Sequence, residues 1–184
     1  RFQKFNNTSI QYTIMNYILF DGSVRNQLLP FTYTRPVADI RVGILTIREK
    51  WERFLDSTTT TVTEDYLTDK YPMVELESNI LINASFLPSE NLVQQIKSLS
   101  ENQAIFYEEE PIAFFTTEDQ EVDFETFEIS QYTFDDVFRI EHTWEIFSKN
   151  GEAIQRDFDL ITKGRKSEPI PDTTVAFYLD NIFI

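Results

Sequence analysis

The amino-acid sequence predicts an α/β fold in which a mainly parallel sheet is sandwiched by helices. Short apolar, β-prone runs end at turn residues, amphipathic segments lie between them, and the two kinds alternate through the first hundred residues. The length of 184 residues fits one domain, or at most a large and a small one.

The first strand is Asn16-Tyr17-Ile18-Leu19-Phe20, broken at Asp21-Gly22. Residues 1–14 read as an extension, or as an edge strand in which Phe2, Ile10, Tyr12 and Ile14 alternate; residues 15–184 form the domain. After a polar loop to Pro36, Asp39 is placed to cap a helix. Its apolar face is Ile40, Ile44, Ile47, Trp51, Phe54 and Leu55, with Arg41, Arg48, Lys50 and Glu52 on the remainder. Ser57 to Thr61 reads as a loop running into a short strand at Val62. Asn79 to Asn83 is a second buried strand, and Pro88-Ser89 opens a helix with Leu92, Val93, Ile96 and Leu99 inward.

Ala104–Tyr107 and Ile112–Phe115 flank a solvated acidic tip and read as a hairpin or a tight reversal. The acidic stretch from Glu118 to Asp136 reads as an excursion from the core. Thr143–Ser148 and Glu152–Thr162 read as helices, the second with Ile154, Phe158 and Ile161 buried and Asp157 and Asp159 on the solvated face. Trp144 and Phe147 read as core, Gly164 as a helix stop, and Thr174–Leu179 as a final strand. The apolar ending at Ile184 predicts a chain truncated before a further domain.

Composition narrows the function. Sixteen Lys and Arg against 31 Asp and Glu give a net charge of −15, a field that repels phosphate backbones and anionic membranes. Nucleic acid and membrane are therefore excluded as partners, while a small anion can still bind where a few cations gather. The lack of Cys and the single His142 remove thiolate nucleophiles, cysteine-held zinc and multi-histidine metal centres. The start carries no apolar signal-peptide core, and with the missing cysteines this points to the cytoplasm.

In an open α/β sheet, ligands collect beyond the carboxyl ends of the strands, and the first strand-to-helix loop is a favoured place. Here it reads FDGSVRNQLLPFTYTRP, Phe20 to Pro36. Main-chain N–H groups at Gly22 and Ser23 and the paired donors of Arg25 and Arg35 are the candidates for gripping phosphate oxygens. Lys163-Gly164-Arg165-Lys166 is the one dense basic cluster, and Lys163 and Arg165 are candidates for holding a phosphate group.

The segment from Met15 to Leu55, MNYILFDGSVRNQLLPFTYTRPVADIRVGILTIREKWERFL, resembles the start of sugar-phosphate nucleotidyltransferases. More closely, it is similar to a Bacteroidetes-type branch related to N-acetylglucosamine-1-phosphate uridylyltransferase. LINASFLPSENLV, TWEIFSKNGEAI and DFDLITKGRKSEPI extend the resemblance to most of residues 15–184. It implies a Rossmann-like, nucleotide-diphospho-sugar transferase type three-layer sandwich. It also implies transfer of a nucleotidyl group from an NTP to a sugar 1-phosphate, with Lys163 and Arg165 the candidates for that sugar phosphate and UDP-N-acetylglucosamine the leading product. The resemblance further implies Mg²⁺ as cofactor and a left-handed β-helix acyltransferase domain as the part that follows. An alternative is a catalytically decayed domain that serves as scaffold or regulator for that acyltransferase. Against the family pattern, Asp21 stands in place of a loop glycine, near where a metal would sit. Val24 adds a side chain to the loop, Arg35 replaces a lysine, and Ser85 takes the place of the metal-binding aspartate, so no metal ligand is assigned.

Overall fold

A computed structural model describes residues 15–179 and 182–184, so the expectation for residues 1–14 lies outside the described residues. Among the described residues, six strands form one sheet in the order β2-β1-β3-β5-β4-β6. They are β1 (Asn16–Phe20), β2 (Thr59–Val62), β3 (Ser78–Asn83), β4 (Gln103–Tyr107), β5 (Glu110–Thr117) and β6 (Glu128–Gln131). The pairs β1/β2, β1/β3 and β4/β6 are parallel, whereas β3/β5 and the β4/β5 hairpin are antiparallel. The four α-helices among the described residues are α1 (Ile47–Leu55), α2 (Glu90–Lys97), α3 (Thr143–Ser148) and α4 (Asn150–Thr162).

Alternation along the strands divides the core. Tyr17, Leu19, Ile80, Ile82 and Phe115 share a cluster with Trp51 and Leu55 of α1, Ile96 of α2 and Ala153 of α4. The Trp51 indole N–H donates to the Phe86 carbonyl at 3.0 Å, so the largest buried side chain keeps its polar atom satisfied. Phe20, Leu81, Ala104, Phe106 and Phe114 meet Phe124 and Phe127 on the second cluster. Edge-to-face contacts such as Phe114–Phe124, at 5.1 Å, build this layer.

Several expectations are corrected. The α1 helix begins at Ile47 rather than after Asp39: Thr46 and Glu49 make a reciprocal capping box, and Gly43 bends the chain with φ +83°. Asp39 instead pairs with Arg48 at 2.7 Å. The threonines of 59–61, read as loop, are the strand β2 itself, since β-branched residues suit the pleated surface. The acidic excursion returns to the sheet: Glu128–Gln131 pairs with β4, and Phe127 and Tyr132 are buried. Residues Thr174–Leu179 are not a strand; Val175, Phe177 and Tyr178 are exposed. Trp144 and Phe147 are likewise exposed rather than core, Trp144 stacking on His142 at 4.3 Å between ring centres.

The largest correction concerns α4. Its buried side chains are Ala153 and Asp157, while Ile154 and Phe158 are exposed. Asp157, read as solvated, accepts the N–H groups of Ile44 (2.8 Å) and Leu45 (3.0 Å) and the Lys50 ammonium. Lys50 is correspondingly 3% exposed, not on an outer face.

Candidate functional site

Strand β1 lies between β2 and β3, so the chain leaves it toward one side and is joined on the other by the later strand. That is a topological switch point, the place where an α/β sheet opens a crevice beyond its carboxyl ends. The residues there are Asp21-Gly22-Ser23 after β1 and Asn83-Ala84-Ser85 at the end of β3. Because β5 runs antiparallel to β3, its first residue Glu110 stands at the same edge.

Asp21 does not face solvent. Its Oδ1 accepts from the Val37 N–H at 2.7 Å, and its Oδ2 accepts from Arg25 at 2.7 Å and the Thr63 hydroxyl at 2.6 Å. Arg25 is buried beside it and also donates to the Thr32 carbonyl (2.6 Å) and the Tyr66 hydroxyl (2.8 Å), with Glu64 3.3 Å from its Nε. Thr32 answers by donating its hydroxyl to the Arg25 carbonyl at 2.9 Å. This clasp pins the start of the β1 loop to its end and to the residue after β2.

The clasp turns the carboxylate inward and leaves the Gly22–Ser23 main chain at the edge. Gly22 has φ +66° and ψ −175°, a combination open essentially to glycine alone. A Cβ there would meet the Asn83 side chain at 2.7 Å. Asn83 is itself held, donating to the Pro111 carbonyl at 3.1 Å and accepting the Ser85 N–H and hydroxyl. The Ser23 hydroxyl donates to Glu110.

Arg139, which the sequence reading did not single out, completes this edge. It is bridged to Phe86 just beyond β3, and its guanidinium lies 4.9 Å from the Phe86 ring centre. It sits 3.0 Å from Glu141 and 3.8 Å from Glu110, the carboxylate that accepts from Ser23. Its Nε is buried with no hydrogen-bond partner. Only the three-dimensional bridge 86↔139 brings it here; nothing in its local sequence marks it.

The other candidates are dispersed. Arg25 lines a cavity of about 350 Å³ with Glu64 and Asp65, whereas exposed Arg35 lines a separate one of about 460 Å³ with Arg48, Lys70 and Tyr71. The two guanidinium groups do not share a pocket. Lys163 pairs with Glu90 at 2.8 Å on the rim of a cleft between helices, and Arg165 lies over Phe183.

Sugar nucleotidyltransferases generally use a divalent metal, and Mg²⁺ takes near-octahedral oxygen ligands. The residues at this edge do not fit one as they stand. Both Asp21 oxygens are turned to protein donors, and the Ser85 hydroxyl donates to Asn83. Among the described residues, no group of three or more His, Asp or Glu side chains is placed to hold a metal. No helix among them is long and apolar enough to cross a membrane.

Fold and edge together define an α/β domain with a candidate ligand site at the switch point of its sheet. The sequence matches the family described as sugar nucleotidyl transferase over residues 17–166, more than half of the chain, and the chain belongs to that family. It is a sugar-phosphate nucleotidyltransferase-like domain. A comparison with curated proteins finds no match. Among solved structures it is similar to one from Bacillus anthracis described as a glucose-1-phosphate thymidylyltransferase, in complex with a sucrose. The two share 12% identity with a TM-score of 0.33, over 51% of this chain and 55% of that one. The match thus spans about half of each protein.

Proposed function

We propose that the carboxyl ends of β1 and β3 bind a nucleoside triphosphate and a sugar 1-phosphate and join them as a nucleotide sugar. A sugar-phosphate oxygen attacks the α-phosphorus and forms a new P–O bond. The bond from that phosphorus to the bridging oxygen of the β-phosphate breaks, and pyrophosphate leaves. UTP with N-acetylglucosamine 1-phosphate is the first pair to test, on the resemblance of residues 15–55.

The observation that carries this reading is the inward turn of Asp21. With its carboxylate neutralised by Arg25 inside the loop, incoming phosphates meet the Gly22–Ser23 main chain, and they reach the Ser23 hydroxyl and the Arg139 guanidinium by displacing Glu110 from both. Arg25 then acts through Asp21, as the group that shapes the loop. Arg35, beside Arg48 and Lys70, is the exposed cation offered to the rest of the triphosphate. Such chemistry asks the protein for alignment and charge stabilisation more than for covalent steps.

A second reading is favoured by the same clasp and by Ser85: a domain that keeps the fold, does not catalyse, and serves as scaffold or regulator for an acyltransferase domain. One assay separates the two. The domain is incubated with Mg²⁺, UTP and N-acetylglucosamine 1-phosphate, then with other NTP and sugar phosphate pairs, and pyrophosphate is measured. Turnover supports transfer, and Arg35→Ala then lowers kcat/KM by about 100-fold. No pyrophosphate and no thermal shift from any NTP leaves the scaffold.

A further inference from the structure

Away from the β1 edge lies a cleft of about 1010 Å³ whose walls come from α1, α2, α4 and the segment 87–90. We propose that this cleft binds a small amphipathic anion, an apolar body carrying a phosphate or carboxylate head. The proposal is independent of nucleotidyl transfer.

Charge is the first argument. The chain as a whole carries −15, yet the charged residues lining the cleft are Lys50, Arg53, Lys97, Arg156 and Lys163 against Glu90, Asp157 and Asp159. Lys50 and Asp157 are buried and neutralise each other at the floor, leaving cations in the majority at the rim. Among the described residues Arg53 and Lys97 form no ion pair, and Lys97 only donates to the Phe54 carbonyl at 3.2 Å. Arg156 and Lys163 are in exposed pairs with Glu152 and Glu90, which cost little to exchange for another anion. On a molecule whose net charge repels anions at long range, this is a place that gathers them.

The walls give the second argument. Leu87, Val93 and Phe138 are buried at the cleft while still lining it, with Phe54 and Leu160 half-buried beside them. An apolar surface with a few cations at its mouth, and a volume at the upper end of the usual range for small-molecule sites, suits a ligand with one apolar and one anionic end.

The test titrates octyl phosphate into the 184-residue chain and follows backbone amide chemical shifts, with octanol as the uncharged control. Saturable shifts at cleft residues are expected for octyl phosphate, with octanol at least roughly tenfold weaker, since a charged head gains charge-assisted hydrogen bonds. The double variant Arg53→Glu/Lys97→Glu changes two exposed side chains and lowers affinity by a further tenfold or so, with the melting temperature held. Gln94→Trp, also at an exposed lining position, fills the mouth and abolishes binding. Equal affinity for octanol, shifts spread over the surface, or indifference to charge reversal overturns the proposal. So does concentration-dependent self-association that protects the cleft.

Discussion

Two regions of the molecule solve the same problem with different side chains. After β1, Gly22 takes a positive φ against a polar side chain, and the buried Asp21 gathers a main-chain N–H, a hydroxyl and Arg25. Between the 41–46 loop and α4, Gly43 takes a positive φ against Asp157, which gathers two main-chain N–H groups and Lys50. In each, a buried carboxylate satisfies loop amides that a helix or strand does not. The difference lies in the cation. Arg25 has several further protein acceptors, whereas among the described residues Asp157 is the one acceptor of Lys50. The β1 clasp is a branched network that shapes a ligand-facing loop; the α4 clasp is a single pivot that fastens a helix.

Removing one member of each buried pair, the acid at the α4 pivot and the cation at the β1 clasp, tests that contrast. Asp157→Ala leaves a buried ammonium unpaired and strips acceptors from Ile44 and Leu45, so the loss of stability should be about 3–5 kcal/mol. Arg25→Ala leaves Asp21 with the Val37 N–H and the Thr63 hydroxyl, and should cost less, about 2–3 kcal/mol. Denaturant titration gives both numbers. A larger loss at Arg25 than at Asp157 would mean that the β1 network, not the α4 pivot, is the main fastening.

The two glycines sharpen the comparison further. At Gly43 an added Cβ falls 2.8 Å from the Ala153 carbonyl carbon, main chain that cannot step aside, as well as 2.6 Å from Asp157. At Gly22 the obstacle is the Asn83 side chain alone. Both substitutions strain the backbone, but Gly43→Ala should lower stability more, about 3 kcal/mol against about 2 for Gly22→Ala. Thermal melts rank them, and only Gly22→Ala should also alter the response to NTP.

Much of the sheet was legible, and the reason is local. The runs 16–20 and 79–83, the hairpin around 108–111 and the cap at Ser89 are specified by neighbours in sequence, and the structure places each there. What could not be read this way were interactions across the chain. Asp157 looks solvated because its partners are 112 and 113 residues away. A signal did exist: Lys50 falls at i+3 from Ile47 beside Trp51, on the apolar stripe, and a lysine buried there calls for a carboxylate from elsewhere. At the β1 edge, the loop's position and Gly22 followed from the motif. The inward turn of Asp21 depends on Val37 and Thr63, and the arrival of Arg139 on a bridge to Phe86, so neither could be seen in FDGSVR alone.

The smallest expected effect is the most specific to the α4 pivot. Burial lowers the affinity of Lys50 for its proton below that of an ordinary lysine at 10.5, against the hydrogen bond and charge of Asp157 that raise it. Between that lowered value and 10.5 the unfolded chain therefore binds more protons than the folded one, and this lysine makes stability rise with pH across the window. Lys50→Met removes that contribution, so the difference in unfolding free energy between wild type and variant should shift in favour of wild type as pH climbs from neutral toward 10.5. Substitution at Arg25 should leave the slope as it is. Urea melts at a series of pH values read the difference directly, and a slope that survives in Lys50→Met would place the titrating group somewhere other than the pivot.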